Sequence, residues 1–334
     1  MARLVDIAAA AQVSVGLVSR VLNNDPAARA TAETRERIQR VAAELGYRPH
    51  YAARALKSAR SDTISLVVPD LTNAMFTELM RGVEDECDRL GYTVLLGRSE
   101  TLIDQSHITR LLAEGRVDGF LLQARDDEST RSLSRLVGTA PVVLINSRVE
   151  SRPGSVMIDD RAAARLGTDH LVGQGHHRIG LVNGVPSSLT ARLREEGYAD
   201  GLRAAGIPLR ADLVTRLGYT VSSAQPAVDV LMSRADPPSA LLVANVNAAF
   251  GVLAHARRLG YAVPDDLSVI AIHDAWTADH TWPALTTIRM PLRDLGVRAV
   301  QTLHQRLSGS EGEDVVVRTP APELVQRSSV RPLS

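Results

Sequence analysis

Two groups of residues in this 334-residue chain have types and spacings that can do chemistry. The first lies near the start, in the run VDIAAAAQVSVGLVSRVLN. There Ser14, Val15, Gly16, Ser19 and Arg20 fall on one short segment, and on a helix Ser19 and Arg20 stand one turn along from Val15 and Gly16. A face of small, hydroxylic and cationic residues suits contact with phosphates and base edges in a DNA groove. The second group consists of polar residues that end apolar runs. Asn146 ends PVVLIN, Asn245 ends LLVAN, and His273 and Asp274 end LSVIAIHD, with Arg194 opening a helix in ARLREEGY. Such groups can hold a small polar ligand by hydrogen bonds. Bond-making chemistry is not indicated. The sequence carries no glycine-rich phosphate loop with lysine, and spacing supports no Ser-His-Asp or Cys-His pairing. His176 and His177 invite a metal, but no third ligand stands nearby in sequence. The chain is therefore expected to be a binding protein without catalytic residues, metal or cofactor.

The elements that must position the first group are short helices. Residues 1–60 carry ten Arg or Lys against five Asp or Glu, and the rest carries 28 against 33, so a formal net charge of zero hides a basic head. A basic patch confined to one small domain implies a polyanion partner for that domain. Asp6 to Ala11 reads as an Ala-rich helix, Val13-Ser14 as the turn, and Val15 to Leu22 as a second helix capped by Ser14. Ile7, Ala8, Val18 and Leu22 give the packed face of this helix-turn-helix. Thr31 can cap a third helix, Ala32 to Leu45, whose Ile38, Val41, Ala42 and Leu45 cover the pair, with Gly46 at its end. Pro49 blocks continuation, and Tyr51 to Ser58 is helix-competent for only two turns. Such a piece is mostly unfolded alone and folds when a partner helix and a groove hold it.

From Asp62 the pattern changes to strands alternating with helices. TISLVVPD, YTVLLGR, GFLLQA, PVVLIN, RIGLVN, ALLVAN and LSVIAIHD are apolar runs with little internal alternation, and FTELMRGVEDECDRLG is helical. Runs of this kind suit parallel strands covered on both faces, joined by helical crossovers. The length exceeds one such sheet, so two α/β lobes are expected, with a ligand between them at the carboxyl ends of strands. Met75, Phe76, Tyr219 and Trp282 are candidate apolar walls. The single cysteine, Cys87, excludes an internal disulfide framework. The amino terminus lacks a secretory pattern, and no stretch approaches the about 20 apolar residues that cross a bilayer. A cytoplasmic protein with no membrane partner is expected.

Taken together, the head segment, TRERIQRVAAELGYRPHYAARALKS, DTISLVVPDLTNAMFTELMRGVEDECDRLGY, HHRIGLVNG, ARLREEGYADGL, LLVAN, LSVIAIHD, PALTTIRMPLRDLG and PELVQRSSV, in that order, resemble the lactose/galactose repressor family of bacterial transcription regulators. The resemblance spans essentially the whole chain. It implies a helix-turn-helix head over 1–47, a hinge helix and linker over 48–61, and a periplasmic-binding-protein-like body over 62–334. The body would hold one lobe at about 62–159 plus 292–320 and a second at about 162–287, with crossings near 159–162 and 287–292 and the remaining tail crossing back. It implies a homodimer on a near-palindromic double-stranded operator. Val15 and Gly16 fall at the variable base-reading positions, Arg20 at a third contact, and Ser14 and Ser19 at phosphate or helix-fixing positions. Leu56 matches the leucine that wedges into the central base step, Ala53 the small residue between paired hinges, and Arg54 and Lys57 meet the backbone. Arg194 and Asn245 match effector contacts, while Asn146 and His273 stand where sugar-responsive members usually have aspartates. The pocket so implied keeps polar character but loses negative charge, which favours a ligand other than a plain neutral hexose, such as one with a phosphate or carboxylate; the effector expected is a sugar, a sugar-like molecule or an anionic metabolite. The chain departs from the pattern at Gln12, usually Gly, Leu17, usually Thr, and His50, usually Asn.

The activity implied is ligand-gated repression: the effector alters lobe closure and a dimer interface near residues 70–95, which sets hinge spacing. Inducer and corepressor both fit. An activator or dual regulator on the same fold is the alternative, and a solute-binding protein or enzyme without a DNA role is the third reading.

Overall fold

The computed structural model describes residues 2–22, 25, 28–47, 60–71, 73–98, 105–124, 130–149, 153–310 and 312–333. It divides into two units, Met1–Ser61 and Asp62–Ser334. Among its described residues the first unit contains three helices, α1 (Leu4–Ala11), α2 (Val15–Leu22) and α3 (Ala32–Glu44). The Ser14 hydroxyl accepts from the Leu17 N–H at 3.2 Å, and Thr31 accepts from the Thr34 N–H at 3.2 Å. Each cap satisfies a donor that the helix leaves open. Ile7, Ala8, Ala11, Val18, Val21, Ile38 and Ala42 are buried together. Leu22 and Val41 sit only at the edge of that core, and Leu45 is 43 % exposed, so Val21 takes the place expected of Leu22. Gln12 ends α1 at φ 54°, in the left-handed region. A glycine meets no penalty there, whereas glutamine carries a modest one.

The second unit has two lobes. The first holds a parallel sheet of β1 (Thr63–Val68), β2 (Thr93–Arg98), β3 (Gly119–Leu122) and β4 (Val142–Leu144), in the order β2-β1-β3-β4. Its crossovers are α4 (Phe76–Leu90), α5 (Gln105–Ala113) and α6 (Thr130–Thr139). The chain then runs through β5 (Val156–Ile158) into α7 (Asp160–Gly173) and the second lobe. There follow β6 (Ile179–Asn183), α8 (Leu189–Ala204), β7 (Val214–Arg216), α9 (Val221–Met232), β8 (Ala240–Val243), α10 (Val246–Arg258), β9 (Ser268–Ile272) and β10 (Thr286–Arg289). Helix α11 (Leu292–Leu307) returns to pack on α4, β11 (Val315–Val317) pairs with β5, and β12 (Glu323–Val325) closes the second sheet antiparallel to β10. The second sheet therefore runs β12-β10-β9-β8-β6-β7.

The chain thus passes between the lobes three times. One apolar cluster continues through both, joining Leu66 and Val143 of the first lobe with Leu181 and Ile270 of the second. Strands β3, β4, β6, β8 and β9 are buried along their whole length, as sheets covered on both faces require. Helices α4 and α11 meet almost backbone to backbone. A Cβ on Gly82 would lie 1.9 Å from the Arg293 carbonyl oxygen, and one on Gly296 would lie 2.4 Å from that of Leu79. Those contacts fix the returning helix to the first lobe. Among the described residues, no single helix is long and apolar enough to cross a membrane.

Candidate functional site

On the head, the second helix presents one end and one face outward. Ser14, Val15, Gly16 and Arg20 are exposed and Ser19 is half-buried, while Val18 and Val21 anchor the opposite face in the core. An added Cβ on Gly16 would lie 3.8 Å from Arg20 Nη2, so the guanidinium lies along the glycine rather than away from it. Small residues at 15 and 16 leave a shallow surface with one long donor at its side. The expectations for Ala53, Arg54, Leu56 and Lys57 lie outside the described residues.

In the body, a cavity of about 500 Å³ opens between the lobes. Met75, Phe76 and Asn146 reach it from the first lobe, and Arg194, Tyr219, Asn245 and His273 from the second. Each comes from the carboxyl end of a strand or from the segment that follows one, where parallel sheets leave room for ligands. Asn146 follows β4 and His273 follows β9, both in the left-handed region, at φ 52° and 69°. Asn and His tolerate that region better than bulkier residues do. Arg194 does not open its helix; α8 begins five residues earlier, at Leu189, capped by Ser188. Arg194 is 3 % exposed. Nε and Nη2 donate to Asp160 Oδ1 at 2.8 and 2.7 Å, Nη1 donates to the Ala244 carbonyl at 2.7 Å, and the guanidinium carbon lies 5.5 Å from the Tyr219 ring centre.

Comparison with known proteins places these two features together. Residues 3–50 match the profile of bacterial regulatory proteins, lacI family, and residues 168–330 match that of the periplasmic binding protein-like domain. The HTH-type transcriptional repressor PurR of Vibrio vulnificus (strain CMCP6) is 31% identical over 338 residues, with 100% of both chains covered. The chain belongs to the lacI family of bacterial regulatory proteins. It has the family's architecture, an all-α head and a two-lobed α/β body, and it is a ligand-responsive, DNA-binding transcription repressor. A LacI family transcriptional regulator from Mycobacterium smegmatis superposes with a TM-score of 0.76 at 39% identity, covering 80% of this chain and 99% of that one. A lac repressor dimer bound to operator and the anti-inducer ONPF superposes with a TM-score of 0.81 at 26% identity, covering 99% of both.

The cleft of this lacI-family regulator is rich in amides and, among the described residues, is lined by one acidic residue, Asp70, and one cation, Arg194. Asp160, which the sequence alone does not single out, is 1 % exposed and answers the Arg194 charge. Burial pushes its carboxyl up, and the adjacent guanidinium pulls it only part of the way back. Arg194 Nη2 also approaches His273 Nε2 at 3.4 Å. A guanidinium only donates, so Nε2 accepts and the imidazole proton sits on Nδ1. That buried Nδ1 has no partner, and neither does Gln123 Oε1 on the first lobe, another cavity residue that no sequence signal marks. Asn146 Oδ1 accepts from the Ile158 N–H at 3.3 Å, which leaves its NH2 for a ligand. Asn245 caps α10 through Ala248 N–H at 2.7 Å and donates to the Tyr219 carbonyl at 3.1 Å, so much of its capacity holds the cleft in shape.

Two expected cavity residues lie elsewhere. Asp274 follows His273 directly, and the left-handed backbone at 273 sends it away from the cavity. It accepts from the Thr287 hydroxyl at 2.7 Å and pairs with Arg327 at 2.9 Å and Arg289 at 3.0 Å. Burial alone would raise its carboxyl, but those partners hold it below the ordinary range. Trp282 is 88 % exposed. Parallel strands β9 and β10 require the connection to return to their amino ends, and Trp282 stands four residues before β10, at the end of the sheet away from the cleft. His176 bonds to Ser239 Oγ at 2.9 Å and the Arg331 carbonyl at 3.2 Å, tying the carboxyl-terminal tail to the second lobe.

His273 gives a pH signature. Burial first, and the Arg194 charge second, hold its imidazole well below the ordinary 6.5. The folded protein keeps it neutral where the unfolded chain takes up a proton. The contribution is complete above the unfolded value and is lost as pH falls from there toward the folded one, by up to about 1.4 kcal/mol per pH unit. Urea unfolding between about pH 7.5 and 5.5 is expected to show a loss smaller by about 1 kcal/mol in His273→Asn than in the wild type. Equal losses would mean the imidazole titrates freely.

Proposed function

We propose that this regulator works as a homodimer on a near-palindromic operator, and that a small polar effector in the interlobe cleft sets how firmly the paired heads grip. The reading rests above all on one coincidence: seven of the residues expected to bind effector, four of them polar (Asn146, Arg194, Asn245 and His273), converge on one cavity of about 500 Å³. The dimer reading draws support from the first-lobe edge strand β2, where Leu95 and Leu96 are 46 % and 42 % exposed, and from the lac repressor structure, itself of a dimer on operator. In this account residues 1–47 read bases, 48–61 form the hinge, and the rest senses and dimerises. Leu56→Ala is expected to lower specific operator affinity about tenfold or more, by removing the wedge, with body unfolding unchanged. Equal operator affinity would remove Leu56 from the interface.

The effector class follows from what the cleft leaves unsatisfied. His273 Nδ1–H and the Asn146 amide want acceptors, and Gln123 Oε1 wants a donor. Arg194 has its charge answered by Asp160, so a full negative charge is not called for. A neutral sugar or sugar-like metabolite carrying both carbonyl or ring acceptors and a hydroxyl or N–H donor fits better than a phosphate ester. A thermal-shift screen of sugars, sugar phosphates and nucleosides tests this. A neutral ligand that raises the melting temperature of the wild type but not of His273→Ala is expected. Stabilisation by phosphorylated compounds alone would overturn the assignment.

A further inference from the structure

A second cavity, of about 370 Å³, opens on the flank of the second lobe, where Pro186, Ala191, Ala199 and Leu209 form apolar walls. Asn183, the last residue of β6, lines it and is 1 % exposed. Its Nδ2 donates to the Ala191 carbonyl at 2.9 Å, which fixes the orientation of the amide. Its Oδ1 is buried with no hydrogen-bond partner. A buried acceptor left open is costly and uncommon in folded proteins, and each one calls for an explanation. The charges at the rim are already answered within the protein. Glu195 accepts from Arg216 Nε at 2.9 Å and Nη2 at 2.5 Å, Glu196 pairs with Arg161 at 3.4 Å, and Arg192 donates to the Pro186 and Ser187 carbonyls. What the cavity lacks is therefore one neutral donor set in an apolar body.

We propose that this flank cavity is a small-molecule site separate from the interlobe cleft, and that it takes a compact, uncharged, mainly apolar ligand with a single N–H or O–H aimed at Asn183 Oδ1. The two cavities share a wall. A Cβ on Gly184 would lie 2.1 Å from the Tyr219 ring, and Tyr219 lines the interlobe cleft, where its hydroxyl meets Thr190 at 2.9 Å and Ser188 at 3.2 Å. An occupant resting on Asn183, Gly184 and Ala191 abuts the segment that seats this ring. The site is thus placed to bias the cleft without entering it.

Indole and 1-methylindole test the assignment, because they share a ring system and differ in one N–H. Isothermal titration of each into the full-length protein is expected to show saturable indole binding, about tenfold or more tighter than 1-methylindole. Asn183→Ala is expected to erase the difference between the two. Leu209→Trp, at a position 50 % exposed on the rim, is expected to weaken indole about tenfold by narrowing the entrance, and serves where Asn183→Ala does not fold. No saturable indole binding up to its solubility limit, equal affinities for the two probes, a preference that survives in folded Asn183→Ala, or indole affinity unchanged in Leu209→Trp would each overturn the proposal.

Discussion

Asp160→Ala is expected to destabilise the body by about 3–5 kcal/mol, a large fraction of the stability of a domain. The Asp160 and Arg194 side chains are 1 % and 4 % exposed, and their charged groups meet at 2.7 Å. Removing one partner strands the other charge away from water, which is far more costly than removing both. The double variant Asp160→Leu/Arg194→Met is therefore expected to recover most of the loss while abolishing effector response, since Arg194 also faces the cleft. Urea unfolding of Asp160→Leu, Arg194→Met and the double closes the cycle. A loss below about 1 kcal/mol for Asp160→Ala would mean the pair is solvated, and the argument for an uncharged effector would fail with it.

The second large effect is on DNA. Arg20 is the one long donor beside the small residues Val15 and Gly16 on the outward face of α2. Arg20→Ala is expected to weaken operator binding by about 1–3 kcal/mol, roughly 5- to 150-fold, and to relax base preference at one position in each half-site. Substituting Ser14 or Ser19 by alanine is expected to cost less and to leave the preference intact, because phosphate contacts position without specifying. Fluorescence anisotropy on the selected operator and its single-base variants separates these outcomes. A uniform loss for Arg20→Ala across all sequences would make it a phosphate contact.

Much of this arrangement is legible in the amino-acid sequence. Ser14 and Thr31 announce their helices because a hydroxyl cap is a local event, settled within three residues. The long buried strands show as apolar runs, and their carboxyl ends locate Asn146, Asn245 and His273 at the cleft. Among the three-residue strands, β4 shows because it lies in the longer apolar run PVVLIN, whereas β5, β7 and β11 leave no such trace, since a period of two needs more than three positions to be read. Asp160 leaves no local signal because its partner lies 34 residues away and the pair exists only once α7 and α8 have packed. His273 and Asp274 look equivalent as neighbours in sequence, yet one faces the cleft and the other an ion-pair cluster, a choice made by the left-handed turn at 273. Trp282 reads as a pocket wall by its size alone, and strand direction carries it to the far end of the sheet.

The central claim is that the two units act as one device, a head that selects DNA and a cleft that governs the selection. Its most direct test is enrichment of duplexes from a random pool by the purified full-length protein, with and without the ligand found by thermal shift. The account predicts convergence on an inverted repeat, with affinity falling steeply as salt rises and changing when the ligand is added. Recovery of a pool still random in sequence, under both conditions, would contradict it.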